Sequence, residues 1–199
     1  LDKGYKENDL IGDYDPYSAS KASAELLIQS YVKSFFDKGN SKVRIATARA
    51  GNVIGGGDWS ENRLIPDFVK SWSKNKRLFI RNPNSTRPWQ HVLEVLCGYI
   101  VLAEKLRKNS NLHGESFNFG PTSKHRYTVV KLLQYIKVKL PKINWSIKKN
   151  PKKFKEAKLL RLNSNKARKI LKWKCILTFN QTIDMTLNWY YNYYFNKKN

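Results

Sequence analysis

Tyr17 and Lys21 are two residues whose types and spacing could do acid–base chemistry. On a helix, side chains four residues apart lie on the same face, about one turn from each other. A free tyrosine has a pKa of about 10, and a neighbouring ammonium group favours the phenolate. Tyr17 could therefore accept a proton from a substrate hydroxyl while a cofactor accepts a hydride. Chance Tyr and Lys pairs are common on helix surfaces, so the pair is weak evidence without its surroundings.

The surrounding sequence predicts the helix that this chemistry needs. Asp15 can cap a helix N-terminus, and Pro16 suits the first helical position. The predicted helices span residues 18–36, 66–72, 92–106, 128–140, 164–171 and 182–195, and the predicted strands span 43–50, 78–80, 116–119 and 144–147. Alternating helices and strands indicate an α/β protein. With so few strands, the doubly wound parallel sheet is expected to be incomplete, lacking its N-terminal strands.

A glycine-rich loop and two arginines could bind a phosphorylated ligand. Residues 51–59 read GNVIGGGDW, and consecutive glycines let backbone N–H groups approach a pyrophosphate or a sugar closely, although they also form ordinary turns. Asn52 follows a predicted strand, where asparagine is often a turn former. Arg87 and Arg63 could each form an ordinary surface ion pair.

Several blocks of sequence together resemble one family. Residues 15–21 read DPYSASK and resemble the active-site helix of extended short-chain dehydrogenases/reductases. Residues 49–59 read RAGNVIGGGDW, and this loop is similar to that of the CDP-glucose 4,6-dehydratases, whereas other extended members usually carry Asn-Val-Tyr-Gly-Pro. The remaining blocks with this resemblance are residues 80–83 (IRNP), 87–94 (RPWQHVLE) and 117–121 (FNFGP). The chain thus resembles the C-terminal portion of that family.

The resemblance implies a Rossmann-type fold, NAD as the cofactor and CDP-glucose as the substrate. In the family's reaction, Tyr17 would accept the O4 proton while hydride leaves C4. Water is then lost across C5 and C6, and hydride returns to C6 to give CDP-4-keto-6-deoxyglucose for surface polysaccharides such as O-antigen. The implied site residues are Tyr17 and Lys21 for catalysis, Tyr17, Lys21 and Ala50 for the cofactor, and Asn52, Arg63 and Arg87 for the nucleotide-sugar, with no metal ligand. In the family Arg87 would bind the diphosphate, a role that suits a planar guanidinium. For Arg63 a nucleotide contact and a surface ion pair are equally good alternatives.

The sequence departs from the family at its beginning. The dinucleotide-binding pattern G-x-G-x-x-G is absent from the 199 residues, so we expect the N-terminal half that holds most of the NAD to be missing and this chain alone to be inactive. Asp2 and Lys3 could match the family's upstream acid and base. However, residues 4–9 (GYKEND) align with a later family segment, so the pair is left unassigned.

The resemblance also implies a domain division and a set of partners. Residues 1–60 would belong to the NAD-binding domain, and residues 61–199 would bind the nucleotide-sugar, with about 87–120 returning to the first domain. A smaller α+β portion would then form the C-terminal region. In relatives the helix that carries the tyrosine packs against its twin, so a homodimer through Leu27, Tyr31 and Phe35 is expected in the complete enzyme.

Composition limits the other classes of function. The chain has 38 Lys and Arg against 15 Asp and Glu, a net charge of +23, yet the lysines are scattered and no nucleic-acid-binding motif accompanies them. No apolar run is long enough for a membrane span, and no signal-peptide layout is present, so a cytoplasmic location is expected. Cys97 and Cys175 are predicted to be buried free thiols. Two alternatives stay open: a non-catalytic remnant that binds nucleotide-sugars or polyanions, and another dehydratase or epimerase of the superfamily.

Overall fold

The computed structural model of the protein describes residues 4–12, 14–36, 41–121, 127–147 and 162–196. Asp2 and Lys3 lie outside the described residues. The α-helices are α1 (Pro16–Tyr31), α2 (Leu64–Ser73), α3 (Val92–Lys108), α4 (Val129–Lys139) and α5 (Phe179–Phe195). The strands are β1 (Thr47–Ala50), β2 (Val53–Ile54), β3 (Leu78–Ile80), β4 (Thr86–Arg87), β5 (Gln90–His91), β6 (Ser116–Phe119), β7 (Tyr127–Thr128) and β8 (Trp145–Ile147). Shorter helical segments are the π-helices Val32–Phe36 and Ala167–Leu171 and the 3-10 turn Ser110–Leu112.

Most predicted elements are present, and several have different ends. The α-helix predicted over 18–36 ends at Tyr31 and continues as a π-helix, and the helix predicted over 164–171 is a π-helix from Ala167. The strand predicted over 43–50 begins only at Thr47. The prediction that Pro66 opens α2 is wrong, because α2 begins two residues earlier at Leu64. Proline fits there because the N–H groups of the first turn have no partner within the helix.

The first of two compact units contains Leu1–Ala50, Leu96–Phe119 and Leu162–Lys174. Its strands β1 and β6 pair in parallel, and every residue of β6 is buried. The indole of Trp173 packs edge-on against the Phe119 ring, with ring centroids 4.9 Å apart. By contrast, α1 buries none of its side chains. Apolar burial therefore holds β6 in this unit and contributes little to the position of α1.

The second unit contains Gly51–Val95, Gly120–Arg161 and Cys175–Asn199. Strand β2 pairs in parallel with β5 and β3 with β8, whereas β4 and β7 are antiparallel. Parallel pairs and the alternation of helices with strands confirm the predicted α/β class. One apolar cluster forms the core of this unit, and its members on α2, α4 and α5 include Ile65, Phe68, Val69, Leu132, Leu133, Ile136, Ile183, Leu187 and Tyr190.

The two cysteines do not both meet the prediction that they are buried. Cys97 is exposed on α3, so that prediction is wrong for it; the same face of the helix also exposes Leu93, Leu96 and Ile100. Cys175 is half-buried, and this burial together with the neighbouring Glu94 raises the pKa of its thiol to about 12. Among the described residues, no helix is long and apolar enough to cross a lipid bilayer.

Candidate active site

The first turn of α1 is held by a cap that the sequence predicted. Asp15 precedes the helix, and its Oδ1 accepts a hydrogen bond of 2.9 Å from the backbone N–H of Ser18. Hydrogen bonds from Ser18 lower the pKa of the Asp15 carboxyl below its ordinary value. The hydroxyl of Ser20 donates to the backbone oxygen of Tyr17 at 2.7 Å. These bonds fix the backbone on either side of Tyr17.

Tyr17 and Lys21 are brought together on this turn. The Lys21 ammonium nitrogen lies 5.6 Å from the centroid of the Tyr17 ring, within the range of a cation–π contact. The Tyr17 side chain is 71% exposed, so its hydroxyl is open to a ligand that approaches α1. This geometry places a positive charge beside the Tyr17 ring. Ala50, which was predicted to contact the cofactor, is the half-buried last residue of β1 and pairs with Phe119 of β6.

A polar network that the sequence analysis did not identify lies behind this helix in the first unit. The Arg49 guanidinium of β1 binds both carboxylate oxygens of Glu25 on α1, with Nε at 2.7 and 2.9 Å. Its Nη1 also donates to the backbone oxygen of Glu7 at 3.0 Å. The Glu7 carboxylate in turn accepts the backbone N–H of Asn118 at 2.9 Å.

Asn118 adds a second connection within this network. Its side-chain amide donates to the backbone oxygen of Tyr5 at 3.0 Å, and its Oδ1 is buried with no hydrogen-bond partner among the residues that the structure describes. Segment 4–9, α1, β1 and β6 are therefore tied together by polar bonds. One signal in the sequence was available, since Glu25 stands four residues after Lys21. Its partner Arg49 could not be found from local spacing.

In the second unit, the glycine loop is shaped by its packing. A Cβ atom on Gly56 would lie 2.0 Å from Cγ of Trp189, and one on Gly55 would lie 2.7 Å from a methyl carbon of Val92. The hydroxyl of Tyr190 donates to the backbone oxygen of Asp58 at 2.7 Å and accepts the Asp58 N–H at 3.1 Å. Close packing against α3 and α5 thus accounts for two of the three consecutive glycines without a bound phosphate.

The three residues predicted to bind the nucleotide-sugar lie at different places in this unit. Asn52 is half-buried, and its backbone oxygen accepts the N–H of Gln90 at 3.1 Å beside the β2–β5 pair. Arg63 is exposed at the beginning of α2 and pairs with the Asp58 carboxylate at 3.5 Å. Arg87 is half-buried in β4, where its Nη1 donates to the backbone oxygen of Thr86 at 2.9 Å.

Two buried titratable groups lie next to each other in the second unit. Burial lowers the pKa of His91, and the charge of Glu94 opposes this shift. The Glu94 carboxylate accepts the backbone N–H groups of Ile176 at 2.8 Å and Leu177 at 2.5 Å. Glu94 therefore holds the segment before α5 through its carboxylate.

Sequence comparison with known proteins shows the family to which the chain is similar. Residues 2–186 match the family model described as GDP-mannose 4,6 dehydratase. CDP-glucose 4,6-dehydratase of Salmonella typhimurium is 41% identical over 197 residues, which are 94% of this chain and 53% of that protein. dTDP-D-glucose 4,6-dehydratase of Homo sapiens is 24% identical over 100% of this chain and 55% of that protein. The chain thus spans about half the length of the curated relatives it matches.

Solved structures confirm the fold. The dTDP-glucose 4,6-dehydratase of Bacillus anthracis in complex with NAD has a TM-score of 0.76 at 23% identity, over 94% of this chain and 55% of that one. The UDP-glucuronic acid 4-epimerase of Bacillus cereus, in complex with UDP-glucuronic acid and NAD, has a TM-score of 0.80 at 18% identity, over 96% of this chain and 57% of that one. The predicted α/β fold with part of a Rossmann-type sheet is therefore correct.

Proposed function

The chain belongs to the GDP-mannose 4,6 dehydratase family, and we propose that it is part of an NAD-dependent lyase that dehydrates CDP-glucose to CDP-4-keto-6-deoxyglucose. The observation that carries the proposal is the Tyr17 and Lys21 pair on a capped helix, 5.6 Å from ammonium to ring. The choice of CDP-glucose rests on the 41% identity with the Salmonella typhimurium enzyme. Because this chain spans about half of that enzyme, the proposal concerns the complete protein.

The residues around Tyr17 suit the nicotinamide end of NAD. An exposed phenol and an ammonium group one turn apart are donors that fit ribose hydroxyls. When bound, NAD supplies the acceptor of the hydride from C4 and later its return to C6. In this proposal Lys21 binds the ribose and Ala50 lies beside the cofactor.

Tyr17 performs the proton transfer in this scheme. Its phenolate accepts the proton of the sugar O4, and the neighbouring Lys21 ammonium stabilises that phenolate. Arg87 binds the diphosphate through its guanidinium, and Asn52 and Arg63 contact the rest of the nucleotide-sugar. For Arg63 this requires the Asp58 ion pair of 3.5 Å to open or to be shared with the ligand.

The experiment joins this chain to the N-terminal part that the Salmonella typhimurium relative has and this chain does not match. The fusion is assayed for conversion of CDP-glucose to the 4-keto-6-deoxy product, whose absorbance in alkali reports turnover, with dTDP-glucose and GDP-mannose run alongside. Tyr17→Phe removes the proton acceptor and keeps the ring, so turnover is expected to fall by about 10²–10⁴. Tyr14→Phe, a change to an exposed tyrosine three residues earlier, is the control and should keep full activity.

Two outcomes would contradict the proposal in different ways. Equal turnover by the wild-type fusion and Tyr17→Phe would remove the catalytic role of Tyr17. A preference for dTDP-glucose would remove the assignment of CDP-glucose and keep the reaction class. Release of a 4-epimer in place of a keto-deoxy sugar would favour the second candidate, a nucleotide-sugar epimerase, whose fold is matched at a TM-score of 0.80.

A further inference from the structure

Three side chains on α1 form a stripe at four-residue spacing: Tyr17, Lys21 and Glu25. A lysine and a glutamate at this spacing ordinarily attract each other on a helix surface. The Glu25 carboxylate instead binds Arg49, through Nε and Nη2 at 2.5–2.9 Å. Lys21 has its ammonium over the Tyr17 ring at 5.6 Å. Lys21 and Glu25 therefore have different partners although their spacing would allow them to pair.

The geometry around Arg49 explains why it is the preferred partner of Glu25. The guanidinium makes a bidentate contact with the carboxylate, and Nη1 is fixed by the Glu7 backbone oxygen at 3.0 Å. Both side chains of the pair are only 18% exposed, so water screens their attraction less than that of a surface pair. A bidentate guanidinium contact is stronger and more directional than one exposed ammonium can provide. Glu25 is thereby occupied on both oxygens.

We propose that Arg49 is a positioning residue that occupies the Glu25 carboxylate and so leaves the Lys21 ammonium for Tyr17. The consequence for catalysis rests on the proposed function, in which Lys21 stabilises the Tyr17 phenolate. Without Arg49, the Glu25 carboxylate has Lys21 as a cation one turn away on the same stripe. Lys21 would then turn from Tyr17 towards Glu25.

Zero-length cross-linking with a water-soluble carbodiimide tests this on the 199-residue chain itself. The reagent activates a carboxylate, a contacting amine attacks it, and an amide forms with net loss of one water. A Lys21–Glu25 amide is recognised after trypsin digestion as a peptide that is uncut at Lys21 and lighter by one water. The wild-type chain is expected to lack this product. Glu104 and Lys108 have the same separation and a contact of 2.5 Å, so their cross-link is the internal positive control.

Arg49→Met is expected to produce the Lys21–Glu25 cross-link, and Arg49→Met with Glu25→Gln is expected to lose it again. The ion pair of Lys166 with Glu115 joins residues 51 apart in the first unit, so its cross-link reports that the unit has folded. If Arg49→Met does not form the Lys166–Glu115 cross-link, the unit has not folded, and Arg49→Gln is used as the test variant instead. Glutamine keeps a donor for the Glu7 oxygen and cannot neutralise Glu25.

The result distinguishes a positioning role from a merely structural ion pair. A structural pair between Arg49 and Glu25 would lower the stability of a folded variant and leave the environment of Lys21 unchanged. The proposal is overturned if a folded Arg49 variant gives no Lys21–Glu25 cross-link, or if the wild-type chain gives it as readily as the variant. Cross-linking needs no NAD or nucleotide-sugar. A result against the role of Arg49 can therefore be told apart from a result against the proposed function, which the Tyr17→Phe assay tests.

Discussion

At Gly56 the backbone of the glycine loop lies directly against the indole of Trp189 on α5. A Cβ atom there would lie 2.0, 2.3 and 2.5 Å from three carbons of Trp189, closer than any side chain tolerates. The contact includes Cβ of Trp189, which is fixed to the α5 backbone, so a change of rotamer alone cannot relieve it. Glycine at this position is therefore needed for packing whether or not the loop binds a ligand.

Gly56→Ala should lower the free energy of unfolding by about 1–3 kcal/mol, as expected for overpacking at a close contact. Urea unfolding of the chain measures this, with Ser60→Ala in the same loop as the control. Two of the three clashing atoms, Cγ and Cδ2, belong to the Trp189 indole, and the third is Cβ at 2.5 Å, which alanine keeps. Gly56→Ala should therefore cost less when it is combined with Trp189→Ala than in the wild-type background, with part of the cost remaining. Strictly additive effects of the two changes would contradict this explanation.

Among the elements, the helices and the strands of three or more residues were predictable, and the two-residue strands were not. Helices α3 and α4 and strands β3 and β6 follow from local residue patterns, and their observed positions agree with the predictions to within about two residues. Strands β2, β4, β5 and β7 have two residues each, too few to show a period. Their pairing is decided by segments far away in the chain, as in the pairing of Val53 with Gln90.

Helix α1 exposes several large apolar side chains, and we expect it to mediate dimerisation. It buries no side chain, and Leu27, Tyr31 and Phe35 are 59%, 51% and 66% exposed on or just after it. Sedimentation velocity over a range of concentrations should show a dimer for the wild-type fusion described above and a monomer for Leu27→Glu. Val138→Glu, at an exposed apolar position on α4, is the control. A dimer that persists in Leu27→Glu would contradict this role for α1.

On the scale of the whole molecule, local features of each unit could be predicted from the sequence, and non-local contacts could not. Tyr17, Lys21 and the Asp15 cap lie within seven residues, so their arrangement follows from helix geometry, and the sequence predicted it. The Arg49–Glu25 pair joins residues 24 apart, and the contact of Gly56 with Trp189 joins a loop to α5. No local pattern encodes such contacts, which depend on how the chain folds back on itself.

Stability of the whole chain should decrease as the pH falls below about 7. Burial lowers the pKa of His91 in the folded protein, whereas a histidine in the unfolded chain has a pKa of about 6.5. Between these two values the unfolded state binds more protons, so the free energy of unfolding decreases with decreasing pH. Urea unfolding between pH 7.5 and about 5 should show this decrease, and His91→Asn should reduce its slope. An unchanged slope in His91→Asn would exclude His91 as its cause.

The chain by itself is expected to bind NAD only weakly. Dinucleotide binding in doubly wound folds depends on a glycine turn between a strand and a helix N-terminus, which holds the pyrophosphate. The 199 residues contain no G-x-G-x-x-G pattern. Gly55 and Gly56 pack closely against Val92 and Trp189, so their packing explains them without a bound pyrophosphate. Tyr17 and Lys21 alone can contact only the nicotinamide end. Calorimetric titration of the chain with NAD⁺ should therefore show a Kd no tighter than about 1 mM, equivalent to roughly 4 kcal/mol. The fusion with the Salmonella typhimurium N-terminal part is the positive control, and a micromolar site on the unfused chain would contradict this account of how NAD is held.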